Sequence, residues 1–157
     1  MGFPQLASVR VEAPKGHDAV VRLFCDAGAD EDLATHSRQT APRSSSNNGH
    51  DVVARVLGEA GADKDHATQS DHTALWSSSN NGHDVVVWGL GEAGADLDHA
   101  TQSDHTALWS SSNKGHDAVV RVVSEAGADN EHATLSDHTA LSSPSNNGQE
   151  VVVRVLC

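Results

Sequence analysis

The sequence predicts an all-α solenoid, a line of stacked supersecondary units, and three observations carry that prediction. Gly16, Gly49, Gly82, Gly115 and Gly148 recur at an interval of 33 residues, and the first four precede His-Asp at His17, His50, His83 and His116. A second marker, Ala-Gly-Ala-Asp, recurs in the same phase and ends at Asp30, Asp63, Asp96 and Asp129. Between the markers the apolar residues fall at helical spacing, as in Ala19, Val20, Leu23 and Phe24, and Gly28 is placed to stop the helix in a left-handed turn. A repeat of this length means units that cannot bury an apolar face alone and must stack on their neighbours.

Three stretches of one unit, Thr73-Ala74-Leu75-Trp76, Gly82-His83-Asp84-Val85-Val86 and Ala93-Gly94-Ala95-Asp96, resemble the ankyrin repeat, whose pattern is T-P-L-H, G-H-x-E-V-V and G-A-D at the same offsets. The three motifs agree in phase with one another, and the resemblance covers most of the chain. It implies two short antiparallel helices per unit, a hairpin loop projecting between units, and a non-catalytic protein-binding role. On this frame the chain divides into a degenerate N-terminal unit at 1–34, complete units at 35–67, 68–100 and 101–133, and a truncated C-terminal unit at 134–157.

Taken in order, Ala7 to Ala13 holds the phase of a first helix, but Val9, Val11 and Pro14 suit one poorly, so this half-unit reads as degenerate or as an atypical cap. The second helix of that unit, His17 to Ala27, places Asp18 in its first turn, where a negative charge suits the helix dipole, and Asp51, Asp84 and Asp117 repeat the arrangement. In the next unit Pro42 stands where Leu75 and Leu108 stand later; Thr40 can still act as the helix N-cap, and proline in the first turn loses no intrahelical hydrogen bond. The block HATQSDHTALWSSSN occurs twice, from His66 to Asn80 and from His99 to Asn113. Its serines replace the small apolar alanines of the family, and serine is the poorer helix former, so these helices are expected to form only because they pack. Gly89 and Gly91 fall inside the second helix of the middle unit, which makes it the weak point of the stack. The last unit carries Pro144 and stops at Val155-Leu156-Cys157, partway through its second helix, as a fragment or a frayed end would.

Composition excludes several function classes. A net charge of −12 argues against a phosphate-binding surface, so no nucleic-acid partner is expected, and it favours a basic protein partner or simple solubility. Cys25 and Cys157 do not occupy equivalent repeat positions and form no disulfide or zinc pattern, which fits a reducing cytoplasmic or nuclear setting. No apolar run has signal-peptide or membrane-spanning length, and Leu6 stands where a myristoylation motif requires Ser or Thr, so the chain reads as soluble, with no membrane partner and as a monomer.

Apparent chemistries dissolve in the repeat. Gly89-x-Gly91-x-x-Gly94 matches a dinucleotide-binding pattern, but the equivalent positions in sister units include Val56 and Val122 within a helix. Ser70-Asp71-His72 and its copies at Ser103 and Ser136 put triad residue types side by side in sequence, where they cannot form a relay, so no enzyme activity is expected. The eleven histidines fall into phase families rather than one cluster, and no cofactor or metal site is expected, although His66, Asp71 and His72 could converge within one hairpin. The Gly-His histidines, by the resemblance, serve as structural hydrogen-bonding groups between helices. Trp76 and Trp109 replace the histidine of the family's T-P-L-H motif and are expected to pack rather than to anchor a partner, and the serine runs are expected to be structural.

The reading is a scaffold that meets a protein partner through hairpin tips and first-helix surface, with Gln69, Asp71, His72, Gln102, Asp104, His105, Asp137 and His138 as the contacting side chains. Acidic residues recurring on the hairpins are expected to form a negative ridge, while Arg22, Arg55, Arg121 and Arg154 recur on the second helices. Two alternatives remain: a structural spacer or fragment of a longer array without a specific partner, and a histidine-rich metal- or pH-responsive protein.

Overall fold

The computed structural model describes residues 18–142 and 152–154. Seven helices are bounded within them: α1 Asp18–Asp26, α2 Ala41–Asn47, α3 Asp51–Ala60, α4 Ala74–Asn80, α5 Asp84–Glu92, α6 Ala107–Lys114 and α7 Asp117–Glu125. Residues 152–154 are also helical, and the described residues contain no strand, so the chain is all-helical where it is described. The readings that fall on Ala7 to Ala13, His17, Pro144 and Val155 to Cys157 lie outside the described residues.

The helices meet in two rows. Within a unit α2 packs on α3, α4 on α5 and α6 on α7; between units α2, α4 and α6 follow one another, as do α1, α3, α5 and α7. The second helices α1, α3, α5 and α7 each open on an aspartate in the first turn, as expected, and bury a valine-rich face. In α3 that face is Val53, Val56 and Leu57; in α7 it is Val119, Val120 and Val123. The buried apolar residues divide into two groups, one centred on Val53 and Leu57 and the other running from Ala74 and Leu75 through Val120 to Val152. The division falls between α3 and α5, beside the glycine-bearing helix.

The first helices are too short to persist by propensity and are held by caps and packing. Thr73 Oγ1 accepts from Trp76 N–H (3.1 Å) and Thr106 Oγ1 from Trp109 N–H (3.2 Å), so each satisfies one of the orphan donors of its helix. Thr40 takes the same position ahead of α2 with the extended backbone of an N-cap, but its buried hydroxyl makes no capping bond. The serines of these helices are buried, apart from the half-buried Ser44. Ser78 Oγ donates to the carbonyls of Ala74 and Leu75 (both 3.0 Å), and Ser111 does the same to Ala107 and Leu108. Ser46, Ser79 and Ser112 are fully enclosed with hydroxyls that find no partner among the described residues, each a cost of about 1–3 kcal/mol that alanine would not incur.

Consecutive units lock through glycine and histidine. His83 Nε2–H donates to the carbonyl of Asn47 (3.2 Å), and His116 Nε2–H to that of Asn80 (3.1 Å), so the Gly-His positions, expected to hydrogen-bond between helices, bond from one unit to the one before it. Each ring lies against the glycine one repeat earlier. A Cβ added to Gly49 would stand 2.7 Å from His83 Nδ1, and one added to Gly82 would stand 2.8 Å from His116 Nδ1. Both glycines also have positive φ, 72° and 76°, so backbone and packing demand the same residue.

Candidate partner-binding surface

The loops that carry the expected contact residues are built by one turn used four times. Thr68 N–H donates to His72 O (3.2 Å) and Asp71 N–H to Thr68 O (3.1 Å), and the pattern returns at Thr35, Thr101 and Thr134. The threonine hydroxyl braces the turn by accepting from the backbone N–H of Gln39, His72, His105 or His138. Closing the turn requires a left-handed residue, and the chain places Arg38, Asp71, Asp104 and Asp137 there, with φ between 56° and 61°. Aspartate tolerates this region better than most residues because its short polar side chain can bond locally. Asp71, Asp104 and Asp137 are therefore turn formers as well as charges.

Adjacent loops are tied to each other by side chains. Gln69 Nε2 donates to His36 O (3.1 Å) and Gln102 Nε2 to Gln69 O (2.6 Å), a ladder at the repeat spacing. A second ladder is acidic. The backbone N–H groups of Asp63, Asp96 and Asp129 donate to Oδ1 of Asp32, Asp65 and Asp98 one unit earlier, at 2.7, 2.9 and 2.8 Å. Within each loop the first acidic residue accepts from the N–H two positions on, as Asp63 Oδ1 does from Asp65 (3.1 Å). The acidic residues thus line one edge in register, and their carboxylates hold the loops together while they charge the surface.

Two of the hairpin histidines lie flat on tryptophans. His72 stacks on Trp76 with ring centroids 3.9 Å apart and planes 6° from parallel, and His105 stacks on Trp109 at 3.8 Å and 12°. Burial lowers the pKa of both histidines from the usual value; at His72 the nearby Arg43 guanidinium adds to the effect and Asp71 opposes it, and at His105 Asp104 opposes it. A depressed histidine pKa means that the unfolded chain binds protons first as pH falls, so stability present above about 6.5 is lost on acidification through the folded-state pKa. The thermal midpoint is accordingly expected to fall between pH 7.5 and 5, and His72→Gln with His105→Gln should flatten that slope in a pH series of melts.

Of the eight expected contact residues, Gln69 and Gln102 spend their side-chain amides on the ladder, His72 and His105 on the stacks, and Asp71 and Asp104 are half-buried. Asp104 Oδ1 also lies 3.4 Å from His132 Nε2. Asp137 and His138 are exposed. Among the described residues no group of three His, Cys, Asp or Glu side chains converges in a way that could hold a metal ion. Trp76 and Trp109 are half-buried, with indole Nε1 atoms enclosed and without a partner among the described residues, which fits packing better than an exposed anchor. A row of acidic residues was expected on the hairpins, but its inter-unit hydrogen bonds and the ring stacks were not, although both have a sequence signal: Asp-x-Asp in constant phase, and His and Trp four residues apart.

No helix among the described residues is long and apolar enough to cross a membrane. Comparison with known protein families finds no family model that matches the chain, and comparison with curated proteins finds no match.

Proposed function

We propose that the chain is an ankyrin-type solenoid that binds a basic protein partner along its hairpin edge, acting as a non-catalytic scaffold, monomeric, in a cytoplasmic or nuclear setting. The observation that carries the reading is the in-register acidic edge: inter-unit hydrogen bonds at constant spacing fix Asp63, Asp96, Asp129 and their neighbours as one row. A row of like charge held by backbone bonds keeps its geometry without a partner and attracts a basic surface chiefly by speeding encounter. The turn residues Asp71, Asp104 and Asp137 extend the same side, beside His72, His105 and His138.

The experiment is capture from cell extract followed by mass spectrometry, with the chain and its Asp71→Asn, Asp104→Asn, Asp137→Asn variant. Asparagine also accepts the left-handed turn, so the fold, read by circular dichroism, should be unchanged while basic proteins are lost from the captured set. Exposed charges are screened over about 8 Å at physiological salt, so capture by the parent chain should also weaken as salt rises. Retention of every captured protein by the variant would remove the hairpin edge as the binding surface. A spacer without a partner is the second reading, favoured by Gln102 bonding to Gln69, since identical hairpins there bond to each other; it predicts no specific capture by either chain.

A further inference from the structure

The second-helix side carries a feature that the hairpin edge does not explain. One exposed position of α1, α3, α5 and α7 is Arg22, Arg55, Trp88 and Arg121 in turn, so the middle unit breaks an arginine column with a tryptophan that is 59% exposed. The next residue, Gly89, replaces the buried Val56 of the preceding unit, and a Cβ built on it would meet nothing within 4 Å. Trp88 and Gly89 both line a groove of about 760 Å³ between α3 and α5, together with Pro42, Ala54, Val85 and Leu90. It lies at the division between the two core groups, and none of the eight hairpin residues lines it.

The charges of the groove do not cancel. Arg55 is held by Glu59 at 3.1 Å and Lys64 by Asp65 at 3.5 Å, whereas Asp51 and Glu92, towards its two ends, have no ion pair among the described residues. In α3 the arginine four residues before Glu59 supplies its partner; in α5 that place is taken by Trp88, which leaves Glu92 without one. The apolar floor asks for an apolar side chain, the indole face attracts a cation, and the two free carboxylates ask for positive charge on either side. A second copy of this chain, at a net charge of −12, is repelled from such a site.

We propose that this groove is a second docking site, separate from the hairpin edge, for a partner segment in which Lys or Arg flanks a large apolar side chain. Trp88 holds the cation and the space left by Gly89 takes the apolar group. The test is fluorescence anisotropy of a labelled short synthetic peptide of leucine and lysine, beside the same peptide with glutamate for lysine, at physiological salt. The lysine peptide should bind saturably and the glutamate peptide should not. Gly89→Val fills the groove without changing charge and Trp88→Arg restores the arginine column; each should weaken binding by at least about tenfold. The Asp71→Asn, Asp104→Asn, Asp137→Asn variant should bind the lysine peptide as the parent does, so loss of the hairpin reading and loss of this one are separable. Absence of saturable binding, equal binding by both groove variants or by the acidic peptide, or a parent dimer in sedimentation that both variants abolish, would overturn the proposal.

Discussion

Gly82→Ala is expected to cost about 2–4 kcal/mol of unfolding free energy, read as a lower urea midpoint with little change in slope. Two separate penalties meet at this residue. Its φ of 76° puts a Cβ in the left-handed region, worth about 1–2 kcal/mol for a residue other than glycine. The new Cβ would then stand 2.8 Å from His116 Nδ1, so the ring must move and strain its 3.1 Å bond to the Asn80 carbonyl. Gly49→Ala should behave alike, since His83 stands over it in the same way. Against a typical total stability of about 5–15 kcal/mol, either change removes a large share.

The opposite sign is expected from Gly89→Val combined with Gly91→Ala, which should raise the urea midpoint by an amount equivalent to about 1–2 kcal/mol. Both glycines lie inside α5, where glycine gives up backbone entropy without packing in return. Space is not limiting: a Cβ on Gly89 meets nothing within 4 Å, and one on Gly91 lies 3.9 Å from Ala126 Cβ, an ordinary contact. Because the core divides beside α5, filling this position should also join its two halves and sharpen the transition. No gain, or a loss, would show that α5 needs its glycines for a bend or a close approach not visible in this packing.

The helices, their order and their buried faces were legible because repetition multiplies weak signals. One Gly-His pair says little, whereas four in constant phase mark a joint, and the hydrogen bonds of His83 and His116 to Asn47 and Asn80 are what that joint does. That some of the serines face inward followed from helical phase, but which hydroxyls are bonded did not: Ser78 reaches two carbonyls while Ser79 reaches none, a matter of rotamer and neighbour rather than of residue type. The hairpin aspartates read as charges, whereas their left-handed backbone is set by closure of the turn and leaves no mark in the residue type alone. Trp88 was hidden for a different reason. Its meaning lies in what the column above and below it contains and in the side chain that Gly89 lacks, so it is a property of the gap between two helices and not of either sequence segment.

Everything proposed for the surface depends on units meeting in register at the glycine-histidine joint, and a double-mutant cycle measures that joint. Gly82→Ala, His116→Ala and the double variant are compared with the parent by urea denaturation. If His116 stands over Gly82, the cost of Gly82→Ala should fall from about 2–4 kcal/mol to the backbone strain of about 1–2 kcal/mol once the imidazole is gone. An equal cost in both backgrounds would mean that the added methyl group meets no ring, and the register described for these units would be contradicted.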